Sequence, residues 1–106
     1  MSRYFFIQSQ DPFTEARTQA QYELAKSLAA AGNSVHMLLV QNGVFAARQG
    51  AQSETFDSLS GHGVTVLADT FSLQQREIGQ LKPSVTPADI DVVVDAMLNG
   101  DKVIWN

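Results

Sequence analysis

Apolar residues are grouped along the chain in short runs, each closed by polar or turn-forming residues. RYFFIQ (Arg3 to Gln8) is aromatic and β-branched, with no interior Gly or Pro, and predicts a buried strand. VHMLLV (Val35 to Val40) predicts a second and VTVLA (Val64 to Ala68) a third. KPSV offers room for a short fourth, and KVIW (Lys102 to Trp105) predicts the last. Between these runs the period changes. Ala16, Ala20, Leu24 and Leu28 recur at helical spacing and predict one apolar face through about Ala31. Asp11 and Pro12 predict the N-cap and first position of that helix, because the Asp oxygen can accept from an orphan helix N–H and Pro has none to lose. Gly32-Asn33 predicts its stop.

VFAARQG predicts a helical turn, and SETFDSLSG a short helix ended by Gly61 and Gly63. TFSLQQREIG predicts another short helix, ending near Gly79. TPADIDVVVDAMLNG predicts a longer one, with Thr86 as N-cap, Pro87 at the first position and Asp89 as a capping-box acid. Its apolar stripe is Ile90, Val93, Val94, Met97 and Leu98, and Gly100 is its stop. Strand and helix alternate throughout. That order implies an α/β protein: a mainly parallel sheet of about five strands between helices on both faces, because right-handed crossovers bury both sides of each strand.

Size and charge narrow the function. The 106 residues fit one domain, spanning residues 1–106, with a core that buries roughly 65% of the unfolded chain's surface and leaves little surplus. Contacts with other subunits would add to it. At 44% hydrophobic and 17% charged, the chain is too apolar to be disordered. A net charge of −4 with scattered Lys and Arg argues against nucleic-acid binding. No run approaches the roughly 20 apolar residues that span a bilayer, and MSRYFFIQSQD lacks a signal-peptide core, so no membrane association and a cytoplasmic location are expected. There is no cysteine, which removes disulfides, thiolate metal sites and thiol chemistry. His36 alternates with apolar neighbours like a strand residue, and His62 sits between two loop glycines, so no metal site is expected. Dinucleotide and phosphate-loop glycine patterns are absent, and no cofactor is expected.

In an open parallel sheet, ligands bind beyond the carboxyl ends of the strands. Three polar loops meet there. Their candidate ligand-binding residues are Ser9 and Asp11, then Asn42 and Gly43, then Asp69, Thr70 and Ser72, with Arg76 one or two turns on. Gly43 is expected to allow a backbone turn that other residues resist. Asp11 is suited to capping, Asn42-Gly43 to a turn, and Asp69 either to capping the next helix or to touching a ligand. Arg76 is placed to partner Asp69 or to be solvated. Phe13, Phe45 and Phe71 would supply apolar walls. No Ser-His-Asp arrangement is visible, and a lone Asp69 as general base lacks a partner acid, so no catalytic residue is assigned.

The length, the element order, the segment LLVQNGVFAARQG and the terminal DKVIW together resemble the DsrE/DsrF-like proteins, which include the Tus sulfur-relay subunits and YchN-like proteins. The resemblance covers nearly the whole chain. It implies a three-layer α/β/α fold and homo- or hetero-oligomers, often trimers or hexamers. Active members carry a cysteine just after the third strand, often as CxxC. On that pattern Asp69 and Ser72 stand where the two cysteines would be, Arg76 takes the basic position, and Glu77 replaces a small residue. A persulfide carrier needs a thiolate, and neither a carboxylate nor a hydroxyl can hold a transferable sulfur atom. The resemblance therefore implies a cysteine-less, non-catalytic member: a structural or interaction subunit related to sulfur-relay proteins, assembling with itself or with a cysteine-bearing family member. The alternative is a small-ligand binding module built on the polar loops.

Overall fold

In a computed structural model, which describes residues 2–106, all five strands form one sheet. The elements run β1 (Arg3–Gln8), α1 (Arg17–Ala30), β2 (Ser34–Leu39), a 3-10 segment (Gln41–Ala47), α2 (Glu54–Asp57), a 3-10 turn (Ser60–His62), β3 (Val64–Asp69), α3 (Thr70–Gln75), β4 (Val85–Ala88), α4 (Asp91–Leu98) and β5 (Lys102–Trp105). The strand order is β4-β3-β2-β1-β5, and every pairing is parallel. The expected α/β architecture is the one observed.

This order determines where the helices go. From β1 to β4 the chain steps in one direction across the sheet, and right-handed crossovers in one direction fall on one face. Phe6, Met37 and Val66 on that face pack with Tyr22 of α1, Phe56 of α2 and Leu73 of α3. The connection from β4 to β5 runs back the other way and lies on the opposite face. There Phe5, Ile7, Leu38 and Val40 meet only Val93 and Ala96 of α4 as buried partners.

Both long helices end as the glycines predict. Gly32 (φ +92°) and Gly100 (φ +81°) are left-handed, and each closes a Schellman motif, with Asn33 N–H donating to the Leu28 carbonyl (3.2 Å) and Asp101 N–H to the Ala96 carbonyl (2.9 Å).

Several expectations are corrected. Asp11 does not cap α1, which begins at Arg17 with Ala16 before it and no side-chain cap. The Asp11 carboxylate instead accepts from Phe13 N–H (2.9 Å), fixing a separate turn. The buried face of α1 is Thr18, Tyr22 and Ala25; of the expected stripe only Leu28 packs on the core, partly buried, while Ala16, Ala20 and Leu24 are exposed. One large ring outweighs two alanines and an exposed Leu24 in setting which side turns inward.

Thr86 and Pro87 lie in β4, not at a helix start. Proline is tolerated there because β4 is an edge strand and needs no ladder N–H on its open side. Asp89 accepts from the Thr70 hydroxyl (2.6 Å) instead of closing a capping box. Gly43 does not adopt a positive φ; Gln41 does, at +50°. What Gly43 provides is closeness, since a β-carbon there would lie 2.1 Å from the Gln8 carbonyl oxygen.

Candidate functional site

The chain leaves β3 toward one face of the sheet and β4 toward the other. A divergence of this kind opens a crevice between carboxyl ends. Asp69 ends β3 and Ile90 follows β4, and both line a cleft of about 260 Å3 together with Val40, Phe71, Ser72 and Trp105. Ile90 and Trp105 also line a second, wholly apolar groove of about 450 Å3, which continues over Ile7, Val93, Met97 and Val103.

Asp69 is the N-cap of α3. Its Oδ2 accepts from Ser72 N–H (3.1 Å) and from the Ser72 hydroxyl (2.7 Å). The Ser72 oxygen in turn accepts from Gln41 N–H (2.8 Å). This loop of bonds joins the ends of β2 and β3, and it accounts for the positive φ of Gln41, whose N–H is turned onto Ser72. Asp69 stands at the carboxyl end of β3, as expected, and is only 6% exposed, its remaining surface lining the cleft. Its other oxygen, Oδ1, accepts no hydrogen bond among the described residues, and Asp69 takes part in no salt bridge there.

Arg76 does not partner Asp69. Its guanidinium donates twice to the Asn42 side-chain oxygen (3.2 and 3.0 Å) and stacks over Phe45, 5.9 Å from the ring centre. Arg48 lies on the other aromatic contacts, over Phe45 and Phe13. Ser9 donates to the Asn106 carbonyl (2.8 Å). Of the eight candidates, only Asp69 and Ser72 line the cleft. Ser9, Asp11, Asn42, Gly43, Thr70 and Arg76 lie outside it, and of the three phenylalanines only Phe71 forms a wall.

The cleft residues missed by sequence reasoning are Val40, Gln75, Ile90 and Trp105. Trp105 carried one usable signal, because strand alternation puts it on the same face as Val103 and its register partner Ile7. A partly buried polar contact between Gln8 and Asn106, with the Asn106 amide donating to Gln8 Oε1 (3.1 Å), had no local signal, as its partners are 98 positions apart.

Chemically, the site offers a carboxylate and a hydroxyl already bonded to each other. The hydroxyl has no histidine beside it: His36 lies in β2, and its ring stacks on Phe5 instead. No group of three or more His, Asp or Glu residues that could hold a metal ion occurs among the described residues.

The profile of the DsrE/DsrF-like family matches residues 2–105. The chain belongs to that family. It is thereby related to sulfur-relay proteins, and it lacks cysteine. Among solved structures, this DsrE/DsrF-like chain is similar to the YchN protein from E. coli, at 17% identity and a TM-score of 0.89 over 100% of both chains. It is similar to MTH1491 from Methanobacterium thermoautotrophicum, a protein of unknown function, at 19% identity and a TM-score of 0.84 over 100% of both. BT1422 from Bacteroides thetaiotaomicron, also of unknown function, matches at 12% identity and 0.75, covering 99% of this chain and 95% of its own. At these identities the likeness concerns the fold alone. A comparison with curated proteins finds no match. No helix among the described residues is long and apolar enough to cross a membrane.

Proposed function

We propose that the protein is a non-catalytic subunit of a DsrE/DsrF-like oligomer, built from copies of itself or shared with a cysteine-bearing family member. The observation that carries this reading is the state of the β3 exit. Where the family pattern has a cysteine, Asp69 stands hydrogen-bonded to Ser72, and no thiol exists elsewhere in the chain. Sulfur transfer needs a thiolate nucleophile, so the scaffold persists without the group that would carry sulfur.

A subunit role also gives a use to the outer side of α4. Val94 is 57% exposed and Leu98 80%, one helical turn apart on the same side. Phe56, by contrast, is buried edge-on against Tyr22, 5.5 Å between ring centres, and is taken up by the chain's own core.

Light scattering at micromolar concentration tests the reading. A mass of a trimer or hexamer of the 11.5 kDa chain, or tight association with a cysteine-bearing family member, supports it. A monomer that holds its mass as concentration rises and binds no such member overturns it.

A further inference from the structure

The depression beside Trp105 has two adjoining parts, the cleft at Asp69 and the groove along α4, which share Ile90 and Trp105 in their linings. The two parts differ. The groove offers only apolar side chains, and the cleft ends at a carboxylate. Among the described residues, Asp69 is the only charged one lining either part. It is more than nine-tenths buried, without a cationic partner and with one oxygen free of hydrogen bonds among the described residues. The α3 cap satisfies only Oδ2, and Oδ1, which is not among the buried atoms lacking a partner, keeps contact with solvent where Asp69 lines the cleft. The complement to such a group is a positive charge with a hydrogen to donate. Each part lies near the lower end of the roughly 300–1,000 Å3 typical of small-molecule sites, and the crevice sits where the connections diverge.

We propose that this depression binds a small amphiphilic cation, its ammonium group on Asp69 and its apolar chain or ring along Trp105, Ile90 and Met97. A carboxylate-headed amphiphile is disfavoured, since its head would meet Asp69 with no Lys, Arg or His lining the site. The inference does not rest on the subunit role; it requires only that the depression stays open in whichever state the protein adopts.

Trp105 is the chain's single tryptophan and is 68% exposed, so its fluorescence reports directly on occupancy. The full chain is titrated with n-octylamine as its ammonium ion, with n-octanol and with n-octanoate, all below micelle-forming concentrations. A saturable shift with the amine, and affinity for the other two at least about tenfold weaker, is the expected result. Asp69→Asn keeps an oxygen for Ser72, so the α3 cap survives while the charge is lost. It should weaken the amine about tenfold or more and leave the weak octanol response unchanged. Met97→Gln, at an exposed position, should weaken the amine while the melting temperature holds.

Equal binding of all three probes would mean a merely greasy surface and overturns the proposal. So does amine binding indifferent to Asp69→Asn, or no response from folded protein. A Trp105 already shielded from acrylamide in an oligomer would show that a second copy fills the groove, which also overturns it. Mass and association with a family member decide the subunit reading, whereas probe selectivity and the openness of Trp105 decide this one, so the two fail separately.

Discussion

On one side of the sheet, Phe6, Met37 and Val66 lie beneath α1, α2 and the segment after β2, with Tyr22, Phe56 and Leu59 closing over them. On the other side, Ile7, Val103 and Trp105 lie beside a single helix of two turns, and Ile90, Met97 and Leu98 of that region face outward. The strands are the same, and so is the apolar character of the residues they present. What differs is the number of crossovers that the strand order sends to each side. The packed side carries the stability. The thin side has apolar surface in excess of what its own helix can cover, and that is where binding is to be sought.

Truncation tests the contrast most severely. Phe56→Ala removes a ring that is 2% exposed and should cost about 3–5 kcal/mol in denaturant unfolding. Met97→Ala on the thin side should change stability by about 0.5 kcal/mol or less. Equal costs would erase the distinction between the two sides.

Gly43→Ala comes next. The new methyl would meet the Gln8 carbonyl, which is backbone and cannot swing away. A loss of about 1–3 kcal/mol in the same assay is expected, and a neutral result would show that the segment after β2 is looser than its contacts imply.

Tyr22→Phe sharpens the picture of the packed side. The Tyr22 hydroxyl is buried with no hydrogen-bond partner among the described residues, and burial, helped by the charge of Asp11, pushes its pKa well above the ordinary value of about 10. A raised folded-state pKa gives stability that is present in full below the unfolded value and lost as pH climbs above it. Thermal melts of the wild type should therefore fall away above about pH 10. Tyr22→Phe should flatten that fall, and at neutral pH it should be neutral or stabilising by about 1 kcal/mol.

The smallest effect concerns Asp11. Since its carboxylate fixes a turn ahead of α1 and does not cap the helix, Asp11→Ala should cost about 0.5 kcal/mol or less. A cost of about 1 kcal/mol or more, measured by the same melts, would restore it to a capping role.

The strands were legible because each is a dense apolar run between breakers, and parallel central strands are buried on both faces. The faces of α1 were not. A helix written ARTQAQYELAKSLAA has small or ambiguous residues all round, so Tyr22, rather than periodicity, decides which side turns inward. Thr86-Pro87 carries two compatible local readings, helix start and edge strand, and only pairing with Leu67 and Ala68 chooses between them. At the site, the Asp69 cap could be read from LADTFS because its partner is three residues away. The rest of the cleft could not, because Ile90 and Trp105 reach Asp69 through sheet order, which no local pattern encodes.

The same strand order bears on how the chain reaches this state. β1 is made first yet ends in the interior of the sheet, with Tyr4 registered against Lys102 and Ile7 against Trp105. During synthesis one edge of β1 stays unpaired until β5, the last strand of the sheet to be made, has emerged. Contacts this distant in sequence slow folding, because the entropy of closing the loop must be met before the pairing rewards it. Strands β1–β4 can assemble in order of emergence, but docking of β5 has to wait. A nascent or destabilised chain therefore passes through a stage with an apolar strand edge open to other molecules, the stage at which chains of this topology are most exposed to aggregation.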